Sequence, residues 1–467
     1  MVPTTLLKVL NENPFLKDVA TFYKNAGYQL YLVGGAVRDG ILDISTKDFD
    51  FTTDANVDES LKLFKENGFQ TTEIGKAFGT IEALYENFSL HITTFREDSY
   101  EETSRKPDII SSNNLENDLK RRDFTINAIA YDILENKLID PYGGLKDLSQ
   151  GVITTPLSAD ISFSDDPLRM LRACRFISSH GFSPDANTFE AIKKNIDRIE
   201  IVSSERVRDE LTKLLIGANP SLGIRAFVES GLSIKIMPEL DELKIEVDPK
   251  HHHKDVYEHT LIVVDRVLPN IVSRLGALLH DIGKPKTKGI ENGKVHFRHH
   301  EVVGARMTKQ ILKRLKFSKK EIQDICLLVE NHLRPHTFKM GWTDSAVRRY
   351  IVDSGELMDQ LNDLVRADIT TKNKNKYDEI NKYLDDMESR IAEVKEKEEL
   401  SNLRPPVSGD DIMKLFNLKP GPSVGIIMKA LYEQRLNEGE VSKEEAIQLA
   451  EDIFCLAHGK MLANGSP

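Results

Sequence analysis

Asp48 and Asp50 stand two apart in the run Lys47-Asp48-Phe49-Asp50-Phe51-Thr52-Thr53. On a strand, side chains two apart share one face, so both carboxylates reach the same divalent ions. Two-metal phosphoryl transfer needs that arrangement. Asp pairs are also common in turns and at solvated strand ends, so the neighbours must decide. Upstream, an apolar strand runs into Gly34-Gly35-Ala36-Val37-Arg38-Asp39, where two glycines permit close backbone approach and the following helix offers its first N–H groups to phosphate. A plain Gly-Gly turn is the alternative, and it leaves the companion carboxylates unexplained.

A second set of residues lies further along. Glu258-His259 opens a helix, His280-Asp281-Ile282-Gly283-Lys284 follows the apolar helix Leu275 to Leu279, and His300, His332 and Asp368 arrive on later helical segments. A lone helical histidine is usually structural, but adjacent His and Asp at a helix end can face one ion. His259 and Asp368 complete a nitrogen and oxygen set suited to a transition metal or Mg²⁺. His300 and His332 would serve a second ion or bind phosphate. His251-His252-His253 is internal, and no ligand role is assigned to it.

The elements that must carry these residues change along the chain. Short β-like runs at Tyr28 to Val33, Phe49 to Thr53, Thr80 to Tyr85 and Leu90 to Phe95 alternate with helices in the first third. From Asp165 onward apolar residues recur at helical spacing, which predicts a nearly all-helical remainder. Ile380, Leu384, Met387, Ile391 and Val394 form a short apolar stripe on a charged helix, predicting a helix laid on its neighbours. Boundaries fall in the polar stretch between Leu240 and Tyr257 and near Arg404 to Pro406.

The 467 residues suggest about three domains. Lys and Arg number 63 against 74 Asp and Glu, a net −11, which excludes a uniformly basic nucleic-acid coat and leaves room for a local basic groove. Cys174, Cys326 and Cys455 lie far apart without a CxxC pair, so neither a zinc ribbon nor a disulfide framework is expected, and a reducing cytoplasm fits best. No signal peptide or membrane span is expected.

The segment from Gly34 to Thr53 resembles the signature of class II nucleotidyltransferases, the family of CCA-adding enzymes and bacterial poly(A) polymerases. Later segments agree in order: Lys120-Arg121-Arg122-Asp123-Phe124-Thr125-Ile126-Asn127-Ala128, Asp140-Pro141-Tyr142-Gly143-Gly144, Asp165-Asp166-Pro167-Leu168-Arg169 and Glu205 to Glu210. The resemblance implies that Asp48 and Asp50 hold Mg²⁺ and that Gly34, Gly35 and Arg38 hold the triphosphate, with Asp39 a structural partner of an arginine. It implies that Arg122, Asp123 and Asn127 bind ribose. Asp166 and Arg169, three apart on a helix, would imitate a template base, the alternative being an ordinary ion pair. Where a third acidic residue is expected this chain has His91, and Asp165 replaces a Glu. The histidine set resembles an HD-type phosphohydrolase domain holding a divalent metal through His259, His280, Asp281 and Asp368, and also His300 and His332.

The expected fold is α+β: a head (1–152) with a palm-like mixed sheet, a helical neck and body (153–245), an HD domain (246–375) and a helical tail (376–467). The expected reaction is template-independent addition of C, C and A to a tRNA lacking its complete 3′ end, from CTP and ATP, in the cytoplasm. Gly75 to Thr80 and the polar segment Arg96 to Arg105 resemble the CCA-adding branch. His296 to Ala305, Trp342 to Tyr350 and Val365 to Lys374 resemble its actinobacterial type. Lys313, Arg314, Lys316, Lys319, Lys320, Arg348, Arg349, Lys372, Lys374 and Lys376 offer local positive charge for RNA, although solvated helix faces account for part of such runs. The rival readings are a poly(A) polymerase and an HD phosphohydrolase or regulator whose head only binds nucleotide.

Overall fold

The computed structural model describes residues 2–72, 75–76, 79–99, 108–111, 114–245, 255–371, 373–397 and 405–463. Ala77 and Phe78, most of Arg96 to Arg105, the His251 to His253 run, Lys372 and Arg404 lie outside them. The chain divides into two compact units. The first holds 1–257 with 269–274 and 310–318, and the second holds 258–268, 275–309 and 319–467.

In the first unit the strands include β1 (Leu30–Val33), β2 (Asp48–Thr53), β3 (Gln70–Thr72), β4 (Thr80–Tyr85), β5 (Phe88–Thr94), β6 (Arg96–Ser99), β7 (Asp108–Ser111), β8 (Ala130–Asp132) and β9 (Lys137–Ile139). Seven of them form one mixed sheet in the order β3-β4-β5-β2-β1-β8-β9, and β6 pairs with β7 alone. The β2–β5 pair is parallel, and its neighbours in the sheet are antiparallel. Strand alternation sorts the faces: Phe49 and Phe51 are buried at 0% and 1% exposure, while Asp48 and Asp50 take the opposite side. Helices Thr4–Glu12, Phe15–Asn25 and Val57–Glu66 close the apolar face with Leu6, Leu16, Val19, Tyr23 and Phe64. The other face is left for chemistry.

Helix α1 (Gly35–Ile41) follows the Gly-Gly turn, and α2 (Leu115–Lys120) precedes the Arg-Arg-Asp segment. Helix α3 (Leu168–His180) is the spine of the helical part, burying Met170, Leu171, Ala173, Cys174 and Phe176. It packs on α4 (Ser204–Leu215) and on the helix Pro220–Glu229. A Cβ on Gly223 would sit 2.7 Å from the Ser178 side chain and 2.9 Å from the Cys174 carbonyl, so only glycine allows that closeness.

The second unit is built mainly of helices, including α5 (Val256–Arg266), α6 (Ile271–Leu279), α7 (His300–Arg314), α8 (Lys319–Asn331) and α9 (Met358–Asp368), of which α5, α6 and α7 begin or end in the first unit. A hairpin, Lys288–Glu291 with Lys294–Phe297, interrupts them. Asn292 and Gly293, both at positive φ, make its two-residue turn, a local Asn-Gly signal that helical periodicity hides. The predicted stripe lies on the helix Lys374–Lys397, where Leu384, Met387, Ile391 and Val394 are buried. A further core gathers Val407, Ile412, Ile427, Leu431, Ala446 and Ala450. No helix among the described residues is long and apolar enough to cross a membrane.

Candidate active site and metal centre

Gly34 turns the chain from β1 into α1 at φ 67°, a conformation that suits glycine. A Cβ there would lie 3.2 Å from Arg122 Nη1 and 3.4 Å from Asp50 Oδ2, so glycine, guanidinium and carboxylate meet around one small space. Burial raises the Asp50 pKa, with Arg122 and His91 pulling it down and Asp48 pushing it up. Among the described residues neither Asp48 nor Asp50 has a side-chain hydrogen bond or ion pair. Two hard carboxylates on one strand face, Asp50 desolvated and Asp48 open to solvent at the strand end, suit a divalent cation.

Behind them lies a network that the sequence does not announce. Arg38 donates Nε and Nη2 to Asp39 and Nη1 to Asn127 Oδ1 at 2.6 Å. Asp39, as expected, is its arginine partner, and burial that would raise its carboxyl is outweighed by His180 and Arg38. Asp123 accepts from Phe124 N, from Asn127 Nδ2 and twice from Arg172, at 2.5 and 2.9 Å. Although burial opposes it, Arg172 and Asn127 hold the Asp123 carboxyl far below the usual range. With every lone-pair direction occupied, Asp123 departs from the expected direct ribose contact and instead positions Asn127. Arg172 is shared with Glu210, which also meets Arg175. Asp118, fully buried, accepts from Arg121 and Arg122. Asp118, Arg172 and Arg175 escaped the sequence reading, and Glu210 entered it only as the end of a motif; the one available signal was arginine at 169, 172 and 175, every third residue of a helix with no acid on it.

Replacing Asp123 by Ala strands the Arg172 charge and two buried donors. The expected cost is about 3 kcal/mol, read as a lower denaturant midpoint of the first unit. Because folding depresses this carboxyl, its stabilisation is complete above the unfolded value near 4 and is lost as pH falls toward the folded value. An unchanged midpoint would dispose of the positioning role.

Asp166 and Arg169 differ from their expected placement on one helix. Asp166 lies in extended backbone between helix Ala159–Asp165 and α3, and its Oδ1 accepts from Leu168 N at the start of α3. Its Oδ2 accepts from Arg206 of α4 at 3.2 Å. Arg169 is buried, donating to Ser162 Oγ at 2.8 Å and to the Arg121 carbonyl at 2.5 Å. The two side chains are therefore held by different partners, and the ordinary i,i+3 ion pair does not form.

In the second unit six ligand-type side chains converge. One nitrogen or oxygen atom each of His259, His280 and Asp368 lie within 4.8 Å of one another, and so do those of Asp281, His300 and His332. His280, His300 and His332 each place Nδ1 at 2.7–2.8 Å from the carbonyl three residues earlier, and His259 Nδ1 meets Thr370 Oγ1. Donation from Nδ1 to a carbonyl leaves the Nε2 lone pair aimed at the centre. His259 and His280 face each other through Nε2 at 3.3 Å, as do His300 and His332. Between His300 and His332 the opposed lone pairs call for a cation, and the carboxylates of Asp281 and Asp368 beside the imidazoles make the donor set fit a metal. Asp281 joins the sets: Oδ2 is 3.2 Å from His280 Nε2 and Oδ1 is 3.3 Å from His300 Nε2. Against the penalty of burial, His280 and Lys284 keep Asp281 well below the ordinary range. Burial pushes His332 down to about 3, with His280 adding to it, so this imidazole is neutral and free to ligate.

Of the expected cationic residues, Arg314 pairs with Glu239 and Arg349 with Glu433, and buried Arg348 donates to the Leu436 and Asn437 carbonyls. Lys313, Lys316, Lys319, Lys320, Lys374 and Lys376 are exposed.

A carboxylate pair under a glycine turn, on a mixed sheet continued by helices, defines a nucleotidyltransferase head, and a histidine-aspartate centre follows it. Protein-family comparison agrees. Residues 30–154 match the Poly A polymerase head domain, 181–244 the probable RNA and SrmB-binding site of polymerase A, and 251–385 the HD domain. An A-adding tRNA nucleotidyltransferase of Deinococcus radiodurans is 32% identical over 420 residues, 86% of this chain and 91% of that protein. A CCA-adding enzyme of a Geobacillus species is 30% identical over 437 residues, 93% and 95% of the two chains. The chain belongs to this family of CCA-adding and A-adding tRNA nucleotidyltransferases. Its fold is that of the Bacillus stearothermophilus CCA-adding enzyme in complex with CTP, at TM-score 0.68 and 23% identity over 95% of this chain and 98% of the other. The Thermotoga maritima CCA-adding enzyme complexed with tRNA shares it at TM-score 0.57 and 18% identity, over 98% of each chain.

Proposed function

We propose that the protein completes the tRNA 3′ end, adding C, C and A from CTP and ATP and releasing pyrophosphate at each step. The observation that carries this reading is the unpaired Asp48–Asp50 face beside the Gly34 turn and Arg122. Asp48 and Asp50 would hold Mg²⁺, whose chemistry when bound is to acidify the RNA 3′-hydroxyl and neutralise the triphosphate. Gly34 and Gly35 let the triphosphate approach the backbone, and Arg122, whose buried Nε has no partner, faces it from the other side. Arg38, Asp123 and Asn127 hold that cradle in shape from behind. Three free thiols and an RNA substrate support a cytoplasmic enzyme.

Asp166 and Arg169 select the base: a carboxylate accepts the exocyclic amine that C and A share and that G and U lack in that position. Asp166→Ala is expected to relax discrimination against UTP and GTP about tenfold or more, with weaker loss in triphosphate affinity. Unchanged selectivity in competition assays would sink the base-reading role.

The reading as a whole is tested with a tRNA transcript lacking CCA, incubated with CTP, ATP or both beside an unstructured RNA and resolved at single nucleotides. Three additions that stop at CCA are expected. A single A on a transcript ending in CC, without C addition, would make it an A-adding enzyme, and a long A ladder a poly(A) polymerase.

The two histidine-aspartate sets favour a second activity, metal-dependent hydrolysis of phosphoesters such as a 2′,3′-cyclic phosphate on an RNA end. A divalent ion there would polarise the ester, and Lys284, 2.6 Å from Asp281, adds positive charge beside it.

A further inference from the structure

Strand register places a polar row beside the carboxylate pair. Thr72 of β3 is opposite Glu82 of β4, Glu82 is opposite His91 of β5, and His91 is opposite Asp50 of β2. Residues directly opposite on paired strands share a face, so His91 stands between Asp50 and Glu82 on the face that carries the chemistry. Ser89, two residues earlier, is opposite Asp48 in the same way. His91, Ser89 and Glu82 are all half-buried.

The hydrogen bonds in this row have a direction. Glu82 accepts from Ser89 Oγ at 2.7 Å and from Thr72 Oγ1 at 2.9 Å. A hydroxyl has one proton, and that of Ser89 is spent on Glu82. The 3.3 Å contact between Ser89 Oγ and His91 Nε2 therefore has the imidazole donating. In the neutral imidazole that a metal ligand must be, a proton on Nε2 leaves the lone pair on Nδ1. A carboxylate acting through a hydroxyl to set an imidazole tautomer is how proteins orient a histidine ligand. On its other flank is Asp50, whose carboxylate has no hydrogen-bond or ion-pair partner among the described residues.

We propose that His91 is the third donor of the nucleotidyl-transfer metal centre, a neutral nitrogen ligand beside Asp48 and Asp50 whose orientation is set by Glu82 through Ser89. The inference rests on the reading of Asp48 and Asp50 as a metal pair. Among the described residues only the two sets of the second unit bring three donors within 4.8 Å, so an ion in the head draws these donors inward by side-chain rotation. The exposed Asp48 and half-buried His91 have room for that. Two carboxylates and an imidazole carry less negative charge than three carboxylates and include a softer donor. Such a set favours Mn²⁺ over Mg²⁺.

The test uses the full chain loaded with Mn²⁺ and its pulsed paramagnetic resonance spectrum, which reads nitrogen bound to the ion. Asp48→Asn/Asp50→Asn removes the head ion, so the difference from the unsubstituted chain isolates the head centre from the histidines of the second unit. That difference is expected to contain a nitrogen coupling, and His91→Gln to abolish it. By calorimetry, His91→Glu is expected to move the ratio of Mn²⁺ to Mg²⁺ dissociation constants about tenfold toward Mg²⁺, and Ser89→Ala to weaken Mn²⁺ about tenfold. A head ion without nitrogen coupling, or a ratio unmoved by His91→Glu, overturns the His91 assignment and leaves the carboxylate pair standing. Unchanged Mn²⁺ stoichiometry in Asp48→Asn/Asp50→Asn overturns the pair itself.

Discussion

Replacing Asp50 by Asn is expected to lower the rate of nucleotide addition to a tRNA 3′ end about a thousandfold. The substitution keeps the shape of the side chain beneath the Gly34 turn and removes the charge. An ion that acidifies the attacking hydroxyl and screens the triphosphate contributes about 4 kcal/mol to the transition state, and each 1.36 kcal/mol is about tenfold in rate. The fold should survive. Asp50 has no ion pair among the described residues, and burial already disfavours its charge. Asn at this position relieves that desolvation, so the thermal midpoint without metal should hold or rise while turnover collapses. Single-turnover extension of a transcript ending in CC, alongside a melting curve, separates the two effects. A variant within tenfold of the parent would remove Asp50 from the centre. A variant that melts much earlier would make Asp50 a structural carboxylate.

The second large effect is expected at Asp281. Its two oxygens join the two donor sets, so Asp281→Asn removes charge from both at once. Metal bound by the second unit should weaken by more than about a hundredfold, beyond what an outer-shell change produces. Hydrolysis of a 2′,3′-cyclic phosphate should fall to background. The amide also leaves Lys284 without its charged 2.6 Å partner and the His300–His332 pair without the carboxylate 3.3 Å from His300, while Asp368 stays beside His259 and His280. The second unit should therefore melt earlier in the absence of metal. Metal content after dialysis and a phosphodiesterase assay read the outcome. Full metal content with lost hydrolysis would assign Asp281 to substrate instead of metal, and loss of neither would end the case for a catalytic centre there.

What could be read from the chain alone followed from local periodicity. Two carboxylates at spacing two declare a shared strand face, Gly34-Gly35 declares a tight turn, and apolar residues at spacing three and four declare the helices and the Leu384 to Val394 stripe. The HD run was legible for the same reason: His280 and Asp281 are neighbours in sequence and at the end of one helix. The Lys288–Phe297 hairpin was missed because each strand has four residues, too few to show a period against helical surroundings.

Everything that depends on who lies opposite whom was decided by the tertiary structure. Asp123 meets Arg172 across 49 residues, and Asp166 meets Arg206 across 40. An ion pair between distant segments leaves no spacing to detect, so motif order alone did not show that these groups are already engaged with one another. The same holds for His91. Its place beside Asp50 is a matter of strand register, set by a parallel pairing of β2 and β5 between which a helix and two further strands intervene. Residue types determined which chemistries were available to this protein; the pairing of distant strands and helices, driven by burial of Phe49, Phe51 and their neighbours, decided which of those groups remain free to perform it.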